Sequence, residues 1–344
     1  MQRDDLNTTH SPPTPTTTSR NRWLAGLRPP LISLTFIGGL LWFVRPDTML
    51  LVNTWTSLNP SILGCVFALA VVAALLRAWR LQGLLPANIR IGRVAGVSML
   101  HQFYIAMLPM RSGEAALPIM LKRDGVEMVQ TVAVLLVVRV LDFVVLLLCL
   151  GASTWFAWND LPDVLRTSAP TVFGVGSAIV LGIAVAYGSR SYSVALLARA
   201  LASRLTGWLP QREWLVDRLG SFHVGVNQLS RRRMLQAFML SICIWTITCA
   251  TIIPLYGPLL AIPGSAAVHI VLALLISFLT MIPIQGWAGI GTVEAISVVV
   301  LTTIDMTSEQ ALVTGLSLHA IQIAIVVLFG AMGLALTARA ATAL

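Results

Sequence analysis

Six stretches of the chain are predominantly apolar over lengths close to a bilayer crossing: about 29–45, 60–79, 127–157, 168–188, 235–256 and 310–336. About 20 residues of helix cover the hydrocarbon core of a membrane, so each stretch reads as a crossing helix. The soluble alternative fails on charge. Only 11% of the residues are charged, against about 25% in a soluble domain, which leaves nothing to coat a globule. The expected fold is all-α and polytopic, with one membrane domain over residues 23–340.

Residues 1–22 stand apart from that domain. Thr8–Ser19 is nearly all Thr, Pro and Ser, a composition that cannot bury a core and predicts a disordered tail. No apolar segment of the right length follows a basic start, so the tail is not a cleaved signal. Cys65, Cys149, Cys243 and Cys249 all fall in apolar runs, without CxxC or Cys–His spacing. They read as small buried apolar residues; neither a disulfide nor a metal site is expected.

Two further apolar stretches, about 94–121 and 267–304, are broken near their middles by Pro, Gly and charge. Each half is too short to cross alone, but two halves make a re-entrant hairpin. Irregular backbone at membrane depth is tolerated where protein or a wet cavity surrounds it.

The net charge of +9 tests this arrangement. With the N-terminus cytoplasmic and each hairpin returning to its starting side, the cytoplasmic segments hold Arg3, Arg20, Arg22, Arg28, Arg77, Arg80, Arg90, Arg93, Lys122, Arg123, Arg339 and the arginines from Arg190 to Arg233. The outer segments hold only Arg45 and Arg166, against Asp47, Asp160, Asp163, Asp305 and Glu309. That asymmetry obeys the positive-inside rule, and it inverts if either hairpin crosses fully. Both termini are therefore expected in the cytoplasm, and a cell membrane is the expected location. Trp155, Trp158 and Tyr256 fall at outer span ends, as interfacial aromatics do. The segment 190–233 alternates arginines with Leu, Trp and Val, the pattern of amphipathic helices at the interface. It reads either as an anionic-lipid contact or as a solvated topology determinant. No aromatic-plus-basic unit stands apart from the membrane, so nucleic acid is not an expected partner.

The two breaks resemble each other. The first reads Met107-Leu108-Pro109-Met110-Arg111-Ser112-Gly113-Glu114-Ala115, and the second Met281-Ile282-Pro283-Ile284-Gln285-Gly286, continuing through Gly289 and Gly291 to Glu294-Ala295. Pro109 and Pro283 each remove a backbone donor and end a helix; Gly113, Gly289 and Gly291 permit the turns. The half-helix that follows presents unsatisfied N–H groups and the positive end of its dipole, which suits a phosphate or carboxylate. Interrupted segments of opposite orientation point to an inverted repeat with a site at the midplane.

Charges at this depth sharpen the reading. Arg111, Glu114 and Glu294 flank the turns, while Arg139 and Asp142 lie within 127–157. Ionisable groups inside spans are costly and face a cavity or a partner. At i, i+3, Arg139 and Asp142 share a helix face and are placed to pair with each other. For the two glutamates, the structural alternative is capping of the helix each begins. His101 and His319 read either as proton relays or as packed, hydrogen-bonded histidines. No HExxH, Walker A, GxSxG or zinc-deaminase pattern occurs, so neither catalytic residues nor a cofactor are expected.

At these same residues the sequence resembles the transmembrane region of the lysylphosphatidylglycerol synthases, a flippase-like family of membrane proteins. The carrying pieces are Pro109-Met110-Arg111-Ser112-Gly113-Glu114 with Leu121-Lys122-Arg123, then Val138-Arg139-Val140-Leu141-Asp142, then Pro283 and Gly289-Ile290-Gly291-Thr292-Val293-Glu294. Their order and spacing agree over roughly residues 30–335. The family often carries Asn shortly before the first proline, whereas Tyr104–Leu108 contains none. The resemblance implies a module that binds or translocates a lipid. In bifunctional relatives a soluble aminoacyl transferase domain follows; here the chain ends at Leu344, and synthase activity is not expected.

The function expected from these pieces is binding and translocation of an anionic, aminoacylated or glycosylated lipid headgroup between the two hairpins. Arg111 and the half-helix N-termini would hold its phosphate, and Glu114 and Glu294 would receive a cationic group or a coupling proton. Two alternatives remain: an accessory subunit presenting lipid to a separate biosynthetic enzyme, and a membrane-embedded enzyme acting on a lipid phosphate. Against the enzyme stands the lack of a positioned nucleophile and base.

Overall fold

The computed structural model describes Thr35, residues 37–42, Val44 and residues 48–85, 89–188, 230–280 and 286–342. The tail 1–22, nearly all of the 190–233 segment, and Pro283 lie outside the described residues. The described residues are all-α, without a strand. In order they form α1 (Thr48–Thr56), α2 (Pro60–Leu84), α3 (Ile91–Met107), α4 (Ala116–Lys122), α5 (Met128–Phe156) and α6 (Asp163–Gly188). There follow α7 (Arg231–Pro254), α8 (Ala266–Leu279), α9 (Thr292–Leu301) and α10 (Ser308–Thr342). Starts are locally specified where the sequence supplies a cap. The Asn59 side chain accepts from the Ser61 N–H at 2.9 Å ahead of Pro60, and Ser230 accepts from the Arg233 N–H at 3.3 Å, each satisfying a donor the first turn leaves open.

Five segments among the described residues are long and apolar enough to cross a membrane: Pro60–Leu84, Met128–Phe156, Arg231–Leu259, Trp287–Ile304 and Ser308–Arg339. The fourth is not one straight helix. Ala288 inside it is non-helical, and the α-helix proper, Thr292–Leu301, has 10 residues. At 1.5 Å per residue it reaches about 15 Å, half of the hydrocarbon thickness.

The first broken stretch folds back on itself. Proline at 109 forces Leu108 into an extended conformation (φ −86°, ψ 140°) and stops α3, as expected of the residue before proline. A 3-10 segment, Pro109–Ala115, turns the chain into α4. Arg93 at the start of α3 then pairs with Asp124 just past α4, at 3.0 Å. Both arms therefore end on the same side. Leu117 and Leu121 of the returning arm share a core with Val94 and Val97 of the outgoing one. In the second broken stretch α8 and α9 likewise pack together.

Three buried clusters hold the bundle: one around α5, α7, α8 and α9, a second joining α2, α3, α4 and α5, and a small third at Ala74, Met99 and Phe329. The helices α3 and α10 approach each other closely. A Cβ on Gly333 would stand 2.8 Å from the carbonyl oxygen of Gly96, the backbone-to-backbone crossing that small residues allow in membranes.

Two sequence expectations change here. Cys65 and Cys243 are exposed, because on membrane helices an apolar face needs only lipid, not a protein neighbour, to cover it. Tyr256 is 5% exposed and sits in the largest core, since α7 carries on past Pro254 into a π-helical turn that swings it inward. Trp155 and Trp158 are exposed, as expected.

Candidate functional site

The 3-10 segment Pro109–Ala115 touches the turn Trp287–Gly289, so the two breaks meet. Beside them lies a cavity of about 520 Å³. Its charged or ionisable lining is Arg77 from α2, Arg139 from α5, Tyr256 from the π-helical turn after α7 and His319 from α10; uncharged polar groups, among them Gln102, Thr248, Thr251 and Ser277, add to it. Of the candidate site residues singled out by sequence, Arg139, Gly289 and His319 line it directly.

At the first break, Gly113 is a packing requirement. A Cβ there would stand 2.1 Å from the carbonyl oxygen of Tyr104, so only glycine lets the 3-10 segment lie against the last turn of α3. The next residue, Glu114, pairs with Arg139 at 3.0 Å, and both side chains remain about a third exposed, at 32% and 30%. The pair thus ties the break to α5 while staying reachable. The Arg111 side chain lies outside what the structure describes.

The expected Arg139–Asp142 pair does not form. Asp142 is instead held by Arg80 of α2, which donates from both Nη1 and Nη2, the latter at 3.0 Å to Oδ2. Nη1 also donates to the Ser241 hydroxyl of α7 at 2.6 Å. The i, i+3 spacing does put Arg139 and Asp142 on neighbouring parts of one face, but a bidentate guanidinium from a facing helix is the better partner. Nor do Arg77 and Arg80 belong to a loop. The span expected to end near residue 79 runs as helix to Leu84, which carries both arginines into the bundle; Arg80 is 3% exposed.

At the second break, Glu294 caps its own helix. Its Oε2 accepts from the Gly291 N–H at 2.7 Å, and Gly291, at φ +86°, occupies the left-handed region glycine adopts freely. The other oxygen, Oε1, meets His319 Nδ1 at 2.6 Å. His319 Nε2 lies 3.0 Å from the Ala288 carbonyl, and a carbonyl only accepts, so Nε2 carries a proton. One further proton joins Nδ1 to Oε1, and the pair is neutral overall whichever atom holds it. Glu294 is 3% exposed. The N-terminus of α9 is accordingly filled by the chain's own carboxylate. It reaches the cavity through His319, not directly.

Sequence reasoning left His319 between a proton relay and a packed, hydrogen-bonded histidine, without naming Glu294 as its partner, and counted Arg77 and Arg80 as loop charge. The signal for the arginines was their i, i+3 spacing at the end of an apolar run, which places both on one helical face. Among the described residues no three of His, Cys, Asp and Glu gather as a metal would need.

Comparison with curated proteins and with solved structures gives no match. A family model described as the lysylphosphatidylglycerol synthase TM region matches residues 31–330.

Proposed function

The chain belongs to the family of the lysylphosphatidylglycerol synthase TM region, and from that premise we propose that it binds a phosphate-bearing lipid headgroup in the cavity where the two breaks meet and moves it across the membrane. The carrying observation is the cavity itself: two cationic side chains, Arg77 and Arg139, line a space of about 520 Å³ at the junction of the broken segments. Arg139 is held by Glu114, but Arg77 makes no ion pair among the described residues, and a cation inside a membrane bundle is costly unless an anion visits it. A phosphodiester supplies that anion, and its acyl chains remain in lipid.

In this reading both breaks are re-entrant. Support comes from the first, whose arms end together at Arg93 and Asp124, and from the short α9, which cannot cross alone. The positive-inside asymmetry supports cytoplasmic termini in a cell membrane. The roles divide as follows. Arg139 attracts the phosphate, and Glu114 holds Arg139 in the resting state and takes up a cationic headgroup group when the phosphate displaces it. The neutral Glu294–His319 pair fixes the second break and holds one proton at the cavity wall. Transport, not catalysis, is the proposed activity.

The test is movement of a short-chain phosphatidylglycerol across proteoliposome bilayers. Arg139→Gln is expected to lower the rate at least tenfold while the protein still unfolds cooperatively. A wild-type rate in Arg139→Gln and in Glu114→Gln together would overturn the assignment.

A further inference from the structure

Next to the central cavity lies a smaller one of about 110 Å³, lined by Arg77, Arg80, His101, Gln102, Arg139 and Asp142 among others. It shares Arg77, Gln102, Ile105 and Arg139 with the larger space. Three guanidinium groups face one carboxylate here. Asp142 is fully committed to Arg80, and Arg139 is paired outward with Glu114. Arg77 makes no ion pair among the described residues. Three further polar atoms of the lining residues are buried without a hydrogen-bond partner: Nε of Arg80, Nε of Arg139 and Nε2 of His101. His101 itself is 9% exposed.

Buried polar atoms are nearly always satisfied, so unpartnered ones in a cavity mark what the cavity takes. A volume of a few water molecules, an excess of positive charge and unused guanidinium donors on two separate helices, α2 and α5, together describe an oxyanion. We propose that this side pocket is the phosphate subsite of the lipid. The oxyanion is gripped by Arg77 and the Arg139 Nε–H; His101, whose Nδ1–H donates to the Glu114 carbonyl, becomes a donor through Nε2 only when the ring takes up a second proton with the anion, and the rest of the headgroup extends into the larger cavity. Arg80 does not take part; its pairing with Asp142 and Ser241 fixes the wall. The inference rests on the lipid-handling reading and narrows it to substrates with a phosphate close to the glycerol or isoprenoid anchor. It also makes Arg77, which no motif marks, the principal ligand.

Native mass spectrometry of the purified full chain tests this with dioctanoyl phosphatidylglycerol, and with dioctanoylglycerol as the phosphate-free control. Arg77→Gln should weaken phosphatidylglycerol retention at least about tenfold, as expected for loss of a charged hydrogen bond, and leave dioctanoylglycerol unchanged. If Arg77→Gln does not fold, His101→Gln carries the same test, with a loss of about threefold or more expected. Competition by inorganic phosphate assigns the site to the anion itself; absence of competition with the Arg77 dependence intact assigns it to the lipid-linked form. Equal retention of phosphatidylglycerol by wild type and Arg77→Gln overturns the subsite. So does equal binding of the phosphate-free control. Proteoliposome transport measured on the same variants separates the two ideas. Transport without Arg77-dependent retention discards the subsite alone, and Arg77-dependent retention without wild-type transport discards the transport reading alone.

Discussion

The two breaks are written alike in sequence and built differently in space. In the first, Glu114 is a third exposed and borrows its cation, Arg139, from another helix. In the second, Glu294 is sealed at 3% exposure, satisfied by the backbone it caps and by His319. The same Gly-to-Glu grammar therefore yields one contact that can open and one that is locked. A half-exposed ion pair contributes little to stability and is easily traded for another partner. A buried hydrogen-bonded carboxylate is expensive to disturb. Under the proposed function, the first break is the one suited to exchange and the second the one suited to anchorage.

The most severe way to break this contrast is Glu294→Ala. It strands the Gly291 N–H and the His319 ring in a buried place, at a cost of about 3 kcal/mol or more, read as a large drop in the melting temperature of the detergent-solubilised protein. Gly113→Ala comes next. Its methyl group would overlap the Tyr104 carbonyl, and an expected loss of about 2 kcal/mol by the same measurement tests how tightly the first break is packed. Glu114→Gln should change stability by less than about 1 kcal/mol while slowing lipid movement in proteoliposomes. If it destabilises the protein as much as Glu294→Ala does, the two breaks are equivalent and the contrast is wrong. The smallest effect is expected at Ala288, a non-glycine residue at φ +54°. Ala288→Gly removes the left-handed penalty and adds chain entropy to the unfolded state, leaving a net gain of no more than about 1 kcal/mol. A clear loss there would mean the methyl group is needed for packing.

Much of this was legible from residue order. Apolar run lengths gave the helices, Pro109 with Gly113 gave the first interruption, and Gly289 with Gly291 gave the described part of the second, because these effects are local. The capping alternative for Glu294 was also legible, since Gly291 and Glu294 are three residues apart and a cap is a local contact. Partner choice was not. Arg80 and Asp142 are 62 positions apart, and His319 and Glu294 are 25 apart. Spacing on one helix proposed Arg139 for Asp142; only the packing of α2 against α5 and α7 could reveal the competitor. Arg77 was misplaced for a simpler reason. Hydropathy ends a span where charge begins, but α2 continues for a turn beyond Arg80.

The Arg80–Asp142–Ser241 knot joins helices that emerge from the ribosome at very different times. Arg80 belongs to α2, yet its counter-charge arrives only with α5 and its hydroxyl partner only with α7. A lone guanidinium in hydrocarbon costs roughly 3 kcal/mol on insertion scales. Until α5 is made, α2 must keep that arginine at the water boundary, and settling to full depth waits for the later helices. The three-way contact is thus complete only once α7 has been made, so the last partner of an α2 side chain comes from a helix well over a hundred residues later.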